Sequence, residues 1–159
     1  MDLILRLATI EDLPLLVQHR RAMFEEMEVY GARDLDAHDQ AFTSWAEHLV
    51  MTGRLVAFLA LAGGRPAASC CLWLREHQPR PGLETAHWPY LMSMFTEPEF
   101  RRRGAARALA LAALQWARER GFAHVSLHAT TPAVSLYERL GFTRTWEMRR
   151  NLLDEGPEV

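Results

Sequence analysis

Between Tyr90 and Gly121 the chain passes from a strand-like run to a strongly helical one across a short basic turn. Tyr90–Thr96 has strand character, and Pro98 ends it because proline has no N–H for a ladder. From about Arg103 to Arg120 the residues are mostly alanine, leucine and arginine, all strong helix formers, and Gly121 is placed to close the helix. A strand that feeds a long helix through a tight turn has to lay that helix on a sheet. This one feature therefore selects an α/β (α+β) architecture.

The flanking sequence agrees. Leu3, Leu5 and Leu7 alternate with Ile4, Arg6 and Ala8 as a short strand. Thr9-x-x-Asp12 stands in the capping-box arrangement, and Leu13, Leu16, Val17, Arg20 and Phe24 carry a helical period to about Met27. A second helix is expected from about Leu35 to Met51, with Phe42, Trp45 and Leu49 on one side. Arg54–Leu61, the Gly63-Gly64 turn and Pro66–Leu74 read as a hairpin, and Gln78–Gly82 as a loop. After the long helix, Val125, Leu127 and Ala129 alternate with His124, Ser126, His128 and Thr130 as another strand. Thr131-Pro132 then opens a short helix that ends near Leu140, with Gly141 as its cap, and a last strand region runs through Leu152. The order is β-α-α-β-β-β-α-β-α-β, without repeats or linkers, and residues 1–159 are expected to form one domain.

A hydrophobic fraction of 49% and a charged fraction of 24% suit a soluble globular chain. The net charge of -2 offers no general attraction to nucleic acid or to an anionic membrane. No apolar run approaches the roughly 18 residues of a membrane span, and the N-terminal segment lacks the pattern of a signal peptide, so a cytoplasmic location is expected. Cys70 and Cys71 are adjacent, a poor geometry for a disulfide, and read as small buried hydrophobes. All 18 basic residues are arginine, so the chain has no side-chain amine of its own.

Chemistry concentrates in Met94–Ala106. Arg101, Arg102 and Arg103 precede the small residues Gly104, Ala105 and Ala106 at the expected start of the long helix. The first N–H groups of a helix lack internal partners and carry partial positive charge, and small residues let an anion approach them. This suits a phosphate or pyrophosphate. Neither G-x-x-x-x-G-K-[ST] nor G-x-G-x-x-G is present. Metal chemistry is not expected: His124 and His128 share a strand face but lie about 13 Å apart, too far for one ion.

Arg101-x-x-Gly104-x-Ala106 resembles the [Q/R]-x-x-G-x-[G/A] signature of the GNAT superfamily of acetyl-CoA-dependent N-acetyltransferases. Ala133-Val134-Ser135-Leu136-Tyr137-Glu138-Arg139-Leu140-Gly141-Phe142 resembles that family's A-x-x-L-Y-E-x-L-G-F segment, about one helix and one strand downstream. The order of elements is similar over nearly the whole chain. The resemblance implies a mixed, largely antiparallel sheet with splayed fourth and fifth strands, flanked by about four helices. It implies acetyl-CoA as cosubstrate, its pyrophosphate on Arg101–Ala106 and its pantetheine between the splayed strands, facing backbone groups of Met94 and Thr96. An N–H of Phe95 or Thr96 would stabilise the oxyanion, and Tyr137 would contact the cofactor and protonate the departing thiolate. No covalent enzyme intermediate and no metal are required. A homodimer is a further family expectation.

Two departures stand out. The glutamate that many members carry on the fourth strand is missing from Tyr90–Thr96, which leaves Glu84, His87, Ser93 and His128 as candidate bases. Thr130 stands where asparagine is common near the end of the fifth strand. On the acceptor side, Glu25, Glu26, Glu28, Asp34, Asp36, Asp39 and Glu47 face a single Arg33 within Glu25–Val50. This is either a solvated helix face or an acidic rim that attracts a primary amine of a small molecule or peptide. Met23, Phe24, Met27 and Tyr30 supply apolar surface nearby, for the pocket or for the core. The alternative to an enzyme is a non-catalytic acyl-CoA-binding module.

Overall fold

The computed structural model describes residues 2–27, 34–79, 81 and 85–149. They cluster into two compact units, Met1–His128 and Ala129–Val159. In the first, β1 (Leu3–Leu7), β2 (Leu55–Ala62), β3 (Arg65–Glu76), β4 (His87–Thr96) and β5 (Ser126–Leu127) form one sheet in sequence order. The first three pairings are antiparallel and β4–β5 is parallel. The helices are α1 (Leu13–Glu25), α2 (Leu35–Met51) and α3 (Ala105–Glu119). The fold is thus the mixed, largely antiparallel sheet with flanking helices that the sequence implied.

Alternation along the strands divides the core into two layers. Leu55, Ala57 and Leu59 of β2 and Cys71 of β3 join Leu13 and Leu16 of α1 and Phe42, Ala46 and Leu49 of α2 in one cluster. Phe58, Ala60, Cys70 and Leu72, also buried, point to the opposite face, where α3 packs with Leu109, Ala110, Ala113 and Ala117. Alanine along α3 keeps this long helix close to the sheet. Cys70 and Cys71 are both free and buried on opposite faces, and burial raises the Cys71 thiol to about 12. They are packing residues.

Local signals hold where both partners lie close in sequence. Gly63 and Gly64 have φ of 56° and 79°, as a two-residue hairpin turn requires. The Asp12 carboxylate accepts the Thr9 N–H at 2.8 Å and a two-pronged contact from Arg6, both bonds 2.7 Å. This ties the end of β1 to a 3₁₀ turn, Ile10–Asp12, that leads into α1. At the far end of α3, Gly121 has φ of 77° and Phe122 donates its N–H to the Ala117 carbonyl at 3.1 Å, closing the helix.

Some boundaries move. Strand β4 begins at His87, three residues before the expected start, and β5 shrinks to Ser126–Leu127 because a strand exists only where a neighbour bonds to it. The second unit contains a 3₁₀ turn, Thr131–Ala133, and α4 (Val134–Arg139), with Gly141 at φ 88°. The last expected strand is not seen among the described residues to 149, where Trp146 and Met148 are exposed. Residues 150–152 lie outside the described residues, as do Arg80 and Gly82 of the expected loop.

The Arg6 guanidinium is the chief cause that holds the Asp12 carboxyl at about 2, well below its usual range. A depressed carboxylate stabilises the fold above its unfolded pKa, and that contribution is lost as pH falls from about 4 toward 2. Replacing Asp12 by alanine is expected to cost about 1 kcal/mol at neutral pH, measured by urea unfolding. The difference from wild type should shrink over that range and be lost only below about pH 2.

Candidate active site

Strand β4 carries the distinctive geometry. Its register with β3 shifts by one residue between Ser69↔Phe95 and Cys71↔Met92, which places a bulge at Ser93 and Met94. Ser93 has φ of 51°, a left-handed conformation that a non-glycine residue adopts at some cost. On its other edge β4 pairs with β5 only through Tyr90↔Ser126 and Leu91↔Leu127. Beyond Leu91 the two parallel strands part, and Met92–Thr96 has no strand partner there among the described residues.

The direction of the backbone groups on this open edge follows from one bond. Glu97 donates its N–H to the Ala67 carbonyl on the β3 side, at 2.9 Å. Groups alternate along a strand, so the Phe95 N–H also points toward β3, whereas Thr96 presents its N–H and carbonyl to the open edge. The Thr96 carbonyl there accepts from Arg101 Nε at 2.9 Å. Of the two expected oxyanion donors, this alternation favours Thr96. Phe95 is buried, with its ring 5.1 Å from that of His19.

A 3₁₀ turn, Pro98–Phe100, then leads to the basic loop. Arg65 of β3 holds this turn through Glu99 at 2.5 Å and lies over the Phe100 ring. Arg101 is structural as much as basic. Besides its bond to Thr96, it pairs with Glu26 at 2.5 Å and lies over the Phe95 ring. Arg102 (φ 61°) and Arg103 are exposed, and neither is paired with an acid among the described residues. Gly104 caps α3 with φ of 87°, and a Cβ there would meet nothing within 4 Å. The first bond of α3 runs from the Ala108 N–H to the Gly104 carbonyl, at 2.9 Å. The N–H groups of Ala105, Ala106 and Arg107 therefore lack intrahelical acceptors, and no side chain caps them. Such an open, cationic helix start fits a pyrophosphate.

The candidate bases separate clearly. His87 opens β4 opposite Glu76, roughly 20 Å along the strand from the bulge. Ser93 sits on the bulge and accepts from Arg20 Nη1 at 3.0 Å. His128 follows β5 where the strands part, with Nδ1 2.5 Å from the Tyr90 hydroxyl. Glu84 lies outside the described residues. In the second unit, Tyr137 is buried on α4, edge-on to Phe142 with centroids 5.6 Å apart, and Thr130 is exposed.

Sequence reasoning missed His19. It is 1% exposed on α1, with Nδ1 2.8 Å from the Ser69 hydroxyl on β3 and Nε2 3.3 Å from a Glu97 carboxylate oxygen, off the line of a hydrogen bond. The tautomer with Nε2 protonated leaves Nδ1 to accept from Ser69 and directs positive charge toward Glu97. The available signal was a histidine in the stripe of Leu13 and Leu16, where only a partnered polar group is tolerated.

Comparison with known proteins agrees with this geometry. The model of the Acetyltransferase (GNAT) family matches residues 16–142. A mycothiol acetyltransferase of Pseudarthrobacter chlorophenolicus is 40% identical over 80 residues, 48% of this chain and 24% of that protein. Human N-acetyltransferase 8 is 40% identical over 58 residues, 35% of this chain and 26% of that protein. These matches thus span about a quarter of each curated relative. The crystal structure of a GCN5-related N-acetyltransferase from Ralstonia eutropha superposes with a TM-score of 0.84 at 31% identity, covering 96% of this chain and all of the other. A Clostridium acetobutylicum structure described as a predicted acetyltransferase with acetyl-CoA gives 0.86 at 23% identity, covering 99% and 100%. The chain belongs to the GNAT acetyltransferase family.

Burial lowers the His19 pKa more than Glu97 raises it. The unfolded chain therefore binds more protons below about 6.5, and stability falls as pH drops through that value. Between about pH 7.5 and pH 5.5 the wild type is expected to lose more stability than His19→Gln, measured by urea unfolding. Equal losses would show that His19 titrates alike in both states.

Proposed function

We propose that this chain, as a single domain, transfers the acetyl group of acetyl-CoA directly to a primary amine of a small molecule or peptide. The observation that carries this reading is the open edge of β4 leading straight to the uncapped, glycine-started α3. One unpaired strand edge and one anion-binding helix start, joined by the eight residues Glu97–Gly104, match the two ends of a pantetheine pyrophosphate.

Arg102, Arg103 and the N–H groups after Gly104 meet the pyrophosphate, while Arg101 keeps the loop in place. Backbone groups of Met94 and the second lone pair of the Thr96 carbonyl bond the pantetheine amides. The neutral amine attacks the thioester carbonyl, and its oxygen gains negative charge toward the Thr96 N–H. The C–N bond forms as the C–S bond breaks, without a covalent enzyme intermediate. The amine's surplus proton passes to His128 through water, with Tyr90 orienting the ring. Tyr137 protonates the CoA thiolate, a transfer only slightly uphill on ordinary values of about 10 for a phenol and 8.5 for a thiol.

Thermal unfolding with acetyl-CoA tests the first half of this reading. Ligand at about 100 times its Kd is expected to add about 2.7 kcal/mol to stability. Gly104→Glu, which adds both strain at positive φ and negative charge, is expected to abolish the gain; Gly104→Ala should retain part of it. No gain for wild type would remove the reading. Protection without thiol release from any amine would instead favour a non-catalytic acyl-CoA-binding module, which the missing acid on β4 keeps in view.

For the chemical step, Tyr137→Phe is expected to lower kcat about 10²-fold or more. His128→Ala should flatten the acidic limb of the pH profile of kcat/KM. An unaltered acidic limb would assign the base elsewhere.

A further inference from the structure

A cleft of about 430 Å³ lies between α1, α2 and the sheet. One face of α2 lines it through His38, Ala41, Phe42 and Trp45, at the i, i+3, i+4 and i+7 spacing that a helix puts on one side. Arg20 of α1, Trp73 of β3 and Met92 of β4 complete the lining. Met92 follows the final β4–β5 pair and precedes the bulge, so the cleft opens beside the point where the strands part. It is therefore placed to present an amine to a thioester on the open edge of β4. This inference rests on the acetyl-transfer reading above.

The middle of the cleft is aromatic. Trp45 stands edge-on to Trp73 at 5.3 Å and tilted against Phe42 at 5.7 Å, a wall suited to a flat ring. Arg20 belongs to the same stack: its guanidinium lies over the rings of Phe24 and Phe42, at 4.6 and 4.5 Å, and Nη1 donates to Ser93.

His38 is different. Its ring stands edge-on to Phe24 at 4.9 Å, and its Nε2 is buried without a hydrogen-bond partner among the described residues. Leaving a buried polar atom unpaired is costly, and a folded protein keeps few of them. Seven residues separate His38 from Trp45, about 10 Å along the helix. The orphaned nitrogen and the Trp45–Trp73 pair therefore stand at opposite ends of the α2 face. A neutral imidazole nitrogen either donates or accepts, according to its tautomer, and a hydroxyl answers both. A carboxylate or an ammonium answers only one.

The acids of α1 and α2 have contacts of their own: Asp36 and Asp39 bond Arg21, the second at 2.5 Å, and Glu26 binds Arg101. Glu28, Tyr30 and Arg33 of the expected acceptor side lie outside the described residues. A neutral hydrogen bond to His38 needs no countercharge from any of them.

We propose that His38 determines acceptor specificity, and that the acceptor is an amine whose aromatic body carries a hydroxyl. The ring lies against Phe42, Trp45 and Trp73, the hydroxyl pairs with His38 Nε2, and the amine faces the parted strands.

The test uses the full chain, acetyl-CoA and thiol release, with tyramine and phenethylamine as acceptors, which differ only in the ring hydroxyl. The kcat/KM for tyramine is expected to be at least about tenfold higher, because phenethylamine leaves Nε2 unpaired. In His38→Phe the ratio of the two should fall to within about threefold of one. His38→Gln, which keeps a donor and an acceptor, should retain part of the preference. The ratio compares two acceptors on one protein, so a general loss of activity in a variant cancels. Equal or better use of phenethylamine by the wild type would overturn the proposal whether or not the variants fold. A preference for tyramine that survives intact in His38→Phe would overturn it as well. Acetyl-CoA protection with turnover of neither amine would overturn it too, leaving the cofactor site standing. Absence of protection would remove the acetyl-transfer reading itself.

Discussion

Strand β4 can satisfy its backbone on one side only once it passes Leu91. Toward β3 it is bonded along its length; toward β5 the ladder stops after two residue pairs. An unpaired strand edge in a protein interior is costly unless something else supplies the bonds. Here the protein itself answers part of the demand, through Arg101 at the Thr96 carbonyl. The remainder is a row of donors and acceptors in fixed order, which an extended chain of amides can complete. The bulge at Ser93 sharpens this arrangement by turning the strand at the level where β5 departs.

The surrounding residues hold that strand from several directions. His19 touches Ser69 on β3, Phe95 on β4 and Glu97 just beyond it, so one buried ring fixes α1 against both strands. Arg20, the next residue, reaches Ser93. Glu26, near the end of the same helix, holds Arg101. One helix thus sets the bulge, the strand end and the basic loop together. A substitution that rotated α1 would disturb all three.

What could be read from the sequence follows the range of the interactions. The hairpin glycines, the Thr9–Asp12 contact, the long alanine-rich helix and the glycine before it each depend on partners a few residues apart. Most of the fold and the two family motifs were therefore legible. His19 was not, because Ser69 and Glu97 lie far along the chain and only the folded sheet brings them together. The contacts of Asp36 and Asp39 with Arg21, and of Glu26 with Arg101, were hidden for the same reason. The fifth strand reads as a full alternating strand, yet most of it bonds to no neighbour, and pairing is a property of two strands rather than of one.

The commitment of Arg101 has a further consequence for how a charged cosubstrate is met. Of three consecutive arginines, one is locked to a carbonyl, a carboxylate and a ring, and the other two stand in solvent. The attraction felt by an approaching polyanion comes from those two and from the helix start, all within reach of counterions. At physiological ionic strength such exposed charges are screened beyond about 8 Å. In the proposed function, capture of the cosubstrate should therefore slow as salt rises, while the loop that receives it keeps its shape.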